Sequence, residues 1–175
     1  MACENCTALN IPLRLCSENK PEPLEFTSEE LIFRRHNQVG DGQSLKNLTE
    51  SEIGAKIFHL NNDSYNRSSL SEPEDVLLNE FPTANKPLDY YSDYGIVALP
   101  IDQINAIEAK KFHINNVESE CKLKIVHTVT PCNYSHAEIF LYINDRKWDE
   151  KAPKSAKPFF RRELQKMLIL VKQFQ

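Results

Sequence analysis

Only four glycines occur in the 175 residues, and none lies in a glycine-rich turn leading into a helix. A P-loop and a dinucleotide fingerprint both need such a turn, because backbone N–H groups must approach phosphates with no Cβ in the way. Both are therefore excluded. Long apolar runs are missing too: none approaches the ~18–20 residues of a membrane-spanning helix, so no membrane is expected. The opening Met1-Ala2-Cys3-Glu4-Asn5-Cys6 lacks the basic and apolar regions of a secretory signal, which predicts a cytoplasmic protein. Three sequons, at Asn47, Asn66 and Asn133, are then accidents of composition. Nor is there an excess of positive charge. A net charge of −4 gives no field for bulk nucleic-acid binding, and the pairs Arg34-Arg35 and Arg161-Arg162 read as solvated faces.

What the chain does contain is ordinary for a globular protein: 41% hydrophobic and 26% charged residues. Its length suits one domain that buries roughly 70% of its unfolded surface. Five cysteines are an odd number, against a closed disulfide framework. Cys3 and Cys6 have the two-residue spacing of a zinc knuckle, with Cys16 beyond. No second close pair of ligands follows, so no metal site is read from the spacing.

Residues 1–25 read as an irregular segment, because Pro12, Pro21 and Pro23 block regular helix. Residues 26–175 read as a single α+β domain. Thr27 and Glu30 form a capping box, with Phe26 and Leu31 as a hydrophobic staple. That favours a helix over 28–36, although Leu31-Ile32-Phe33 also suits a buried strand. Gly40-Asp41-Gly42 should turn the chain. A second capping box, Thr49 to Glu52, precedes Ile53, Ile57, Phe58 and Leu60, and 56–60 is helix or strand. Residues 61–71 are almost wholly polar and predict a loop, followed by an N-cap at Ser71 and a connection over 79–93. Strands are expected at 94–99, 122–130 and 137–143, with a short helix after Pro100 and a charged loop over 145–155. Phe160, Leu164, Met167, Val171 and Phe174 recur on one helical stripe behind Pro158, predicting a helix over 158–174. The expected fold is a mostly antiparallel sheet packed by that C-terminal amphipathic helix.

Chemistry concentrates in Thr130-Pro131-Cys132-Asn133-Tyr134-Ser135-His136-Ala137-Glu138-Ile139, a dense set of polar and reactive side chains at the start of an apolar run. His136-Ala137-Glu138 is similar to the first half of the zinc-dependent deaminase signature, in which His binds zinc and Glu moves protons. That family needs a Pro-Cys-x-x-Cys afterwards. Here the only Pro-Cys, Pro131-Cys132, comes before it and no cysteine follows Glu138, so the deaminase reading is excluded.

Two other arrangements remain. In chain order, Arg34 or Arg35, then Ser68-Ser69-Leu70-Ser71, then Glu138 resemble enzymes that split NAD and transfer ADP-ribose. The resemblance implies that Arg35 holds a phosphate or ribose, that Ser69 and Ser71 bracket the nicotinamide ribose, and that Glu138 polarises the glycosidic carbon. Alternatively, His59, His127, His136 and Glu138 supply acid–base work on a phosphodiester, with Arg67 clamping a phosphate. Asn133 and Tyr134 would contact the same ligand, or form an Asx-type turn between strands. Cys132 is a candidate nucleophile beside a base. His127, at an inward strand position, suits a hydrogen-bonded core histidine, and Arg67 suits an anchor for its own loop.

Two function classes follow. One is a small cytosolic interaction or regulatory subunit, of the kind a bacterial defence or conflict system uses, binding a protein partner or a second copy through the C-terminal helix. The other is an enzyme on a nucleotide-like substrate, with Arg67, His136 and Glu138 catalytic. No motif names a cofactor.

Overall fold

The computed structural model describes residues 6, 11–17, 24–36, 49–60, 63–77, 95–130 and 132–173. The expected turn at Gly40-Asp41-Gly42, the connection 79–93, and Cys3, Pro21, Pro23, Pro131 and Phe174 lie outside them. The described chain is a mixed α/β fold on one mostly antiparallel sheet with few helices. Its strands are β1 (Leu31–His36), β2 (Asp63–Arg67), β3 (Gly95–Pro100), β4 (Lys110–Ile114), β5 (Val117–His127), β6 (His136–Ile143), β7 (Arg146–Lys147) and β8 (Ile169–Gln173). They run in the order β4-β5-β6-β2-β1-β3-β8, with β7 added to β6. Two α-helices accompany them among the described residues, α1 (Ile101–Asn105) and α2 (Lys157–Lys166), together with short 3-10 turns.

Scarce glycine is offset by asparagine. Asn115 and Asn116 have φ of 50° and 66°, and Asn144 and Asp145 have 49° and 63°. These pairs close the β4–β5 and β6–β7 hairpins between Ile114 and Val117 and between Ile143 and Arg146. Two-residue hairpin turns need positive φ at both central positions, which asparagine and aspartate tolerate better than other side chains.

One face of the sheet carries the main core. Ile32, Tyr65, Val97, Leu99, Leu123, Ile139 and Leu141 pack there with Ile101 and Ile104 of α1, Phe160 and Leu164 of α2, and Ile53, Ile57 and Phe58 of the intervening turns. Two smaller clusters lie apart from it. Phe33, Ile96 and Ala98 pack with Val76, and Cys6, Ile11, Leu15, Cys16 and Cys132 form the other.

Three expectations are corrected. Half of the Thr27–Glu30 capping box forms, with the Thr27 amide donating to Glu30 Oε2 at 3.3 Å, while the Glu30 amide donates to the Thr27 carbonyl and closes a single turn. Leu31–His36 is then strand, because pairing with β2 and β3 buries Ile32 and Phe33 in the middle of the sheet and outweighs local helix propensity. The polar stretch 61–71 is not a loop throughout. Asp63–Arg67 is a central strand between β6 and β1, and its two inward charged groups are both compensated. Asp63 accepts from the amides of His59 and Leu60 and pairs with Arg34 at 2.9 Å, while Arg67 pairs with Glu30.

The C-terminal helix, expected to reach residue 174, stops at Lys166. Met167 leaves helical geometry at φ −103° and ψ 4°, and Ile169–Gln173 pairs with β3. An apolar run of a few residues fits a strand as well as a helix, and β-branched Ile169 and Val171 favour the strand. Both outer strands are blunted against further pairing. On β8 the outward amide of Leu170 donates to Glu50 Oε1 at 2.9 Å and the register shifts at Ile96/Val97. On β4, Lys110 and Lys111 are exposed.

Candidate functional site

Alternation decides what the polar residues of β2 and β6 can do together. Asp63 pairs with Ile139, Ser64 with Glu138, Tyr65 with Ala137 and Asn66 with His136. Asp63, Tyr65 and Arg67 therefore share the core face with Ala137 and Ile139, while Ser64, Asn66, His136 and Glu138 share the opposite one. The expected trio of Arg67, His136 and Glu138 is split by the sheet itself. Arg67 is no phosphate clamp for that pair.

Arg67 is instead the centre of a buried polar cluster, only 2% exposed. Its Nε and one Nη2 hydrogen donate to the two oxygens of Glu30, each at 2.7 Å. The remaining hydrogens go to the carbonyls of Leu24 and Glu25, at 2.7 and 2.8 Å, and to His127 Nδ1 at 3.0 Å. A guanidinium has five N–H donors, and all are used. The Phe26 ring covers the cation, 4.2 Å from Cζ. Burial alone would push the Glu30 carboxyl up. The hydrogen bonds from Arg67 and Ser69 and the Arg67 charge win, and its pKa lies below the ordinary value.

The His127 tautomer follows from its partners. The Leu24 amide donates to Nδ1 at 3.0 Å, so Nδ1 carries the lone pair, and Nε2–H donates to the Tyr134 carbonyl. Burial pushes the His127 pKa down, and the Arg67 charge adds to that against the opposing bond to Tyr134. This is a core histidine held neutral.

The folded state therefore resists a proton that the unfolded chain takes up near the usual histidine pKa of about 6.5. Stability from this source is fully present above that pH and is lost as pH falls through the lower folded-state pKa. Melting temperature is expected to drop as pH falls from 7 to 5, and His127→Gln, which removes the titrating group, should flatten that slope. Identical slopes in thermal melts of the two proteins would refute this assignment.

The opposite face is different in kind. His136 Nδ1 lies 2.8 Å from the Thr128 carbonyl and 2.8 Å from Thr128 Oγ1. A carbonyl only accepts, so in the neutral ring the proton is on Nδ1 and Nε2 presents a lone pair. Glu138, two residues along the same face, is half-buried. Among the described residues its carboxylate has no hydrogen-bond or ion-pair partner.

Beside them runs a relay of amides. Ser135 Oγ donates to Asn133 Oδ1 at 2.6 Å, and Asn133 Nδ2 donates to Asn66 Oδ1 at 2.7 Å. The relay fixes which way the Asn66 amide points. Its Nδ2 is buried and, among the described residues, without a hydrogen-bond partner, in a residue only 4% exposed. An unmet buried donor costs about 1–3 kcal/mol, which calls for an acceptor beyond those the described residues supply.

The other expected residues divide. Asn133 belongs to this relay. Arg35 lies on the same face: the Phe33–Asn66 register, carried along β1, aligns it with Ser64 and hence Glu138, and its Nη1 donates to the Leu77 carbonyl at 3.3 Å. Ser69 and Ser71 do not join them, since Ser69 Oγ donates to Glu30 and Ser71 Oγ to the Arg67 carbonyl. Tyr134 is also corrected. It is 2% exposed, turned inward with its ring edge-on to His127 at 5.3 Å. His59 is exposed and apart from this face, its amide bound to Asp63. Cys132 is buried among other thiols, not poised as a nucleophile. Sequence reasoning missed Asn66, Ser64, Thr128 and Glu30. The polar alternation of Asp63–Arg67 was the available signal for the first two.

No family model, curated protein or solved structure matches the chain.

Proposed function

We propose that this protein binds a nucleotide-like ligand on the β2–β6 face and that His136 and Glu138 carry out proton chemistry on it. The carrying observation is Asn66, whose amide donor is buried, oriented by the Asn133–Ser135 relay and unmet. A ligand oxygen beside it would complete the hydrogen bonding. His136 Nε2 is the proton acceptor, held in the right tautomer by Thr128. Glu138 accepts a hydrogen bond from a ligand hydroxyl, as a ribose offers, and Arg35 at the same level supplies the positive charge for a phosphate. Two acceptors, one donor and one cation match a sugar phosphate better than an apolar ligand. In this reading α2 serves the core, with Phe160 and Leu164 turned inward, and supports the sheet that bears the site.

The test is a titration of the chain with AMP and ADP-ribose, followed through the Asn66 side-chain amide signal by NMR. Binding should shift that signal. Glu138→Gln and His136→Ala should each weaken binding by roughly 10–100-fold, the worth of a hydrogen bond to a charged group, with melting temperature unchanged. Absence of a shift with either nucleotide, or full affinity in both variants, would sink the proposal.

The interaction-subunit reading keeps a narrower basis. In α2 and the segment after it, Phe160, Leu164 and Leu168 are buried, Phe159, Met167 and Leu170 are partly buried, and Ile169 and Val171 are exposed at 37% and 38%. A partner would meet that short strand rather than a helix face.

A further inference from the structure

The core side of the sheet holds a second pair of unmet donors, at the rim where α2 begins. Continuing the Phe33–Asn66 register sets Arg34 opposite Tyr65, and the Arg34 guanidinium carbon lies 5.5 Å from the centre of the Tyr65 ring. Arg34 Nη1 is ion-paired with Asp63 Oδ1 at 2.9 Å. That nitrogen and the Tyr65 hydroxyl are nevertheless both buried and, among the described residues, without a hydrogen-bond partner. Tyr65 is only 2% exposed. Burial pushes its pKa up against the pull of the Arg34 charge, so the hydroxyl keeps its proton and both groups are donors.

Cations gather around this pair. Asp63 anchors the turn before β2 by accepting from the amides of His59 and Leu60, and Leu60 has a φ of 59°, unusual for a bulky side chain. Arg161 of α2 docks on the same turn, donating from Nε to the Phe58 carbonyl and from Nη2 to the Lys56 carbonyl at 3.5 Å. Lys157 stands four residues before Arg161, on the same face of the helix. Among the described residues the Lys157 ammonium and the His59 ring have no hydrogen-bond or ion-pair partner. The first turn of α2 contains no acidic residue, although the helix dipole disfavours a cation there. Burial, then the charges of Arg34, Arg161 and Lys157, hold the His59 pKa below its ordinary value despite Asp63. Burial, with the charges of Arg161 and Lys151, does the same to Lys157.

We infer that Arg34, His59, Tyr65, Lys157 and Arg161 form a binding site for a phosphate dianion. Arg34, Lys157 and Arg161 set against the Asp63 carboxylate leave two positive charges, which a dianion neutralises. One phosphate oxygen accepts from Arg34 Nη1 and the Tyr65 hydroxyl, and the others from Lys157 and His59. Side chains hold the anion and not the helix end, since the amides of Lys157, Phe159 and Phe160 already donate to the carbonyls of Pro153 and Ala156. Alternation along β2 puts this site across the sheet from Ser64 and Asn66. It is independent of the ligand proposed for the β2–β6 face.

The test is calorimetric titration of the full chain with inorganic phosphate, at an ionic strength fixed with sodium chloride so that screening stays constant. Binding should be seen, with a melting temperature that climbs with phosphate concentration. Lys157→Gln should weaken binding by roughly 10–100-fold, the worth of a hydrogen bond to a charged group, and should melt at the unaltered temperature without phosphate. Tyr65→Phe removes a hydroxyl that has nothing to bond. Without phosphate it should melt no lower than the unaltered chain, yet bind phosphate more weakly. Arg35→Gln, on the opposite face, should bind phosphate as before. No response beyond that to matched chloride, or full affinity in Lys157→Gln and Tyr65→Phe, overturns the site. Loss of binding in Arg35→Gln instead would move the anion to the β2–β6 face and overturn it as well.

Discussion

Arg67→Ala is expected to destabilise the fold by about 3–5 kcal/mol, the cost of leaving one partner of a buried ion pair behind. Glu30, 3% exposed, would lose both oxygens' main donors, and the carbonyls of Leu24 and Glu25 and the Nδ1 of His127 would each lose one. The pair itself need not be stabilising in net terms, because desolvating two charges costs several kcal/mol. The double variant Glu30→Gln/Arg67→Met separates the two. It removes both charges while keeping volume, and should recover much of the single variant's loss. Urea unfolding checks both, with the midpoint shifting and the slope unchanged. A phosphate-clamping Arg67 would behave otherwise, with Arg67→Ala leaving stability intact and weakening ligand binding alone.

Phe160→Ala is expected to cost about 3–5 kcal/mol, the range for truncating a fully buried aromatic side chain. The ring is 0% exposed and meets Phe112 at 6.0 Å and Phe159 at 5.1 Å between centroids. The effect should be confined to stability, seen as a lower urea midpoint with unchanged elution in sizing chromatography. If α2 were instead an association surface, the same substitution would change the elution volume and barely move the midpoint.

Much of the sheet was legible in the sequence. Residues 94–99, 122–130 and 137–143 stand close to β3, β5 and β6, because β-branched and apolar residues recur there between turn formers. The cluster at 130–139 was found for the same local reason: polar side chains crowd the start of a strand. The β4–β5 hairpin escaped notice although Asn115-Asn116 marks it. A reading that looks to glycine for tight turns passes over asparagine in that role. β2 was lost in a polar stretch, since the residues that make it tolerable in the sheet, Glu30 and Arg34, come from far back along the chain.

Local spacing was enough to rule out a P-loop, a dinucleotide fingerprint and a deaminase zinc pair, since each needs residues at fixed short intervals. Local composition also showed that reactive side chains gather before β6. Which of them face one another depends on how the strands pair. Arg67 and His136 both lie where β2 meets β6, yet alternation along β2 sends Arg67 into the core and Asn66 to the other face beside His136. Register across strands is set by partners remote in the chain, so the pairing of Asn66 with His136 exists only once the sheet has formed.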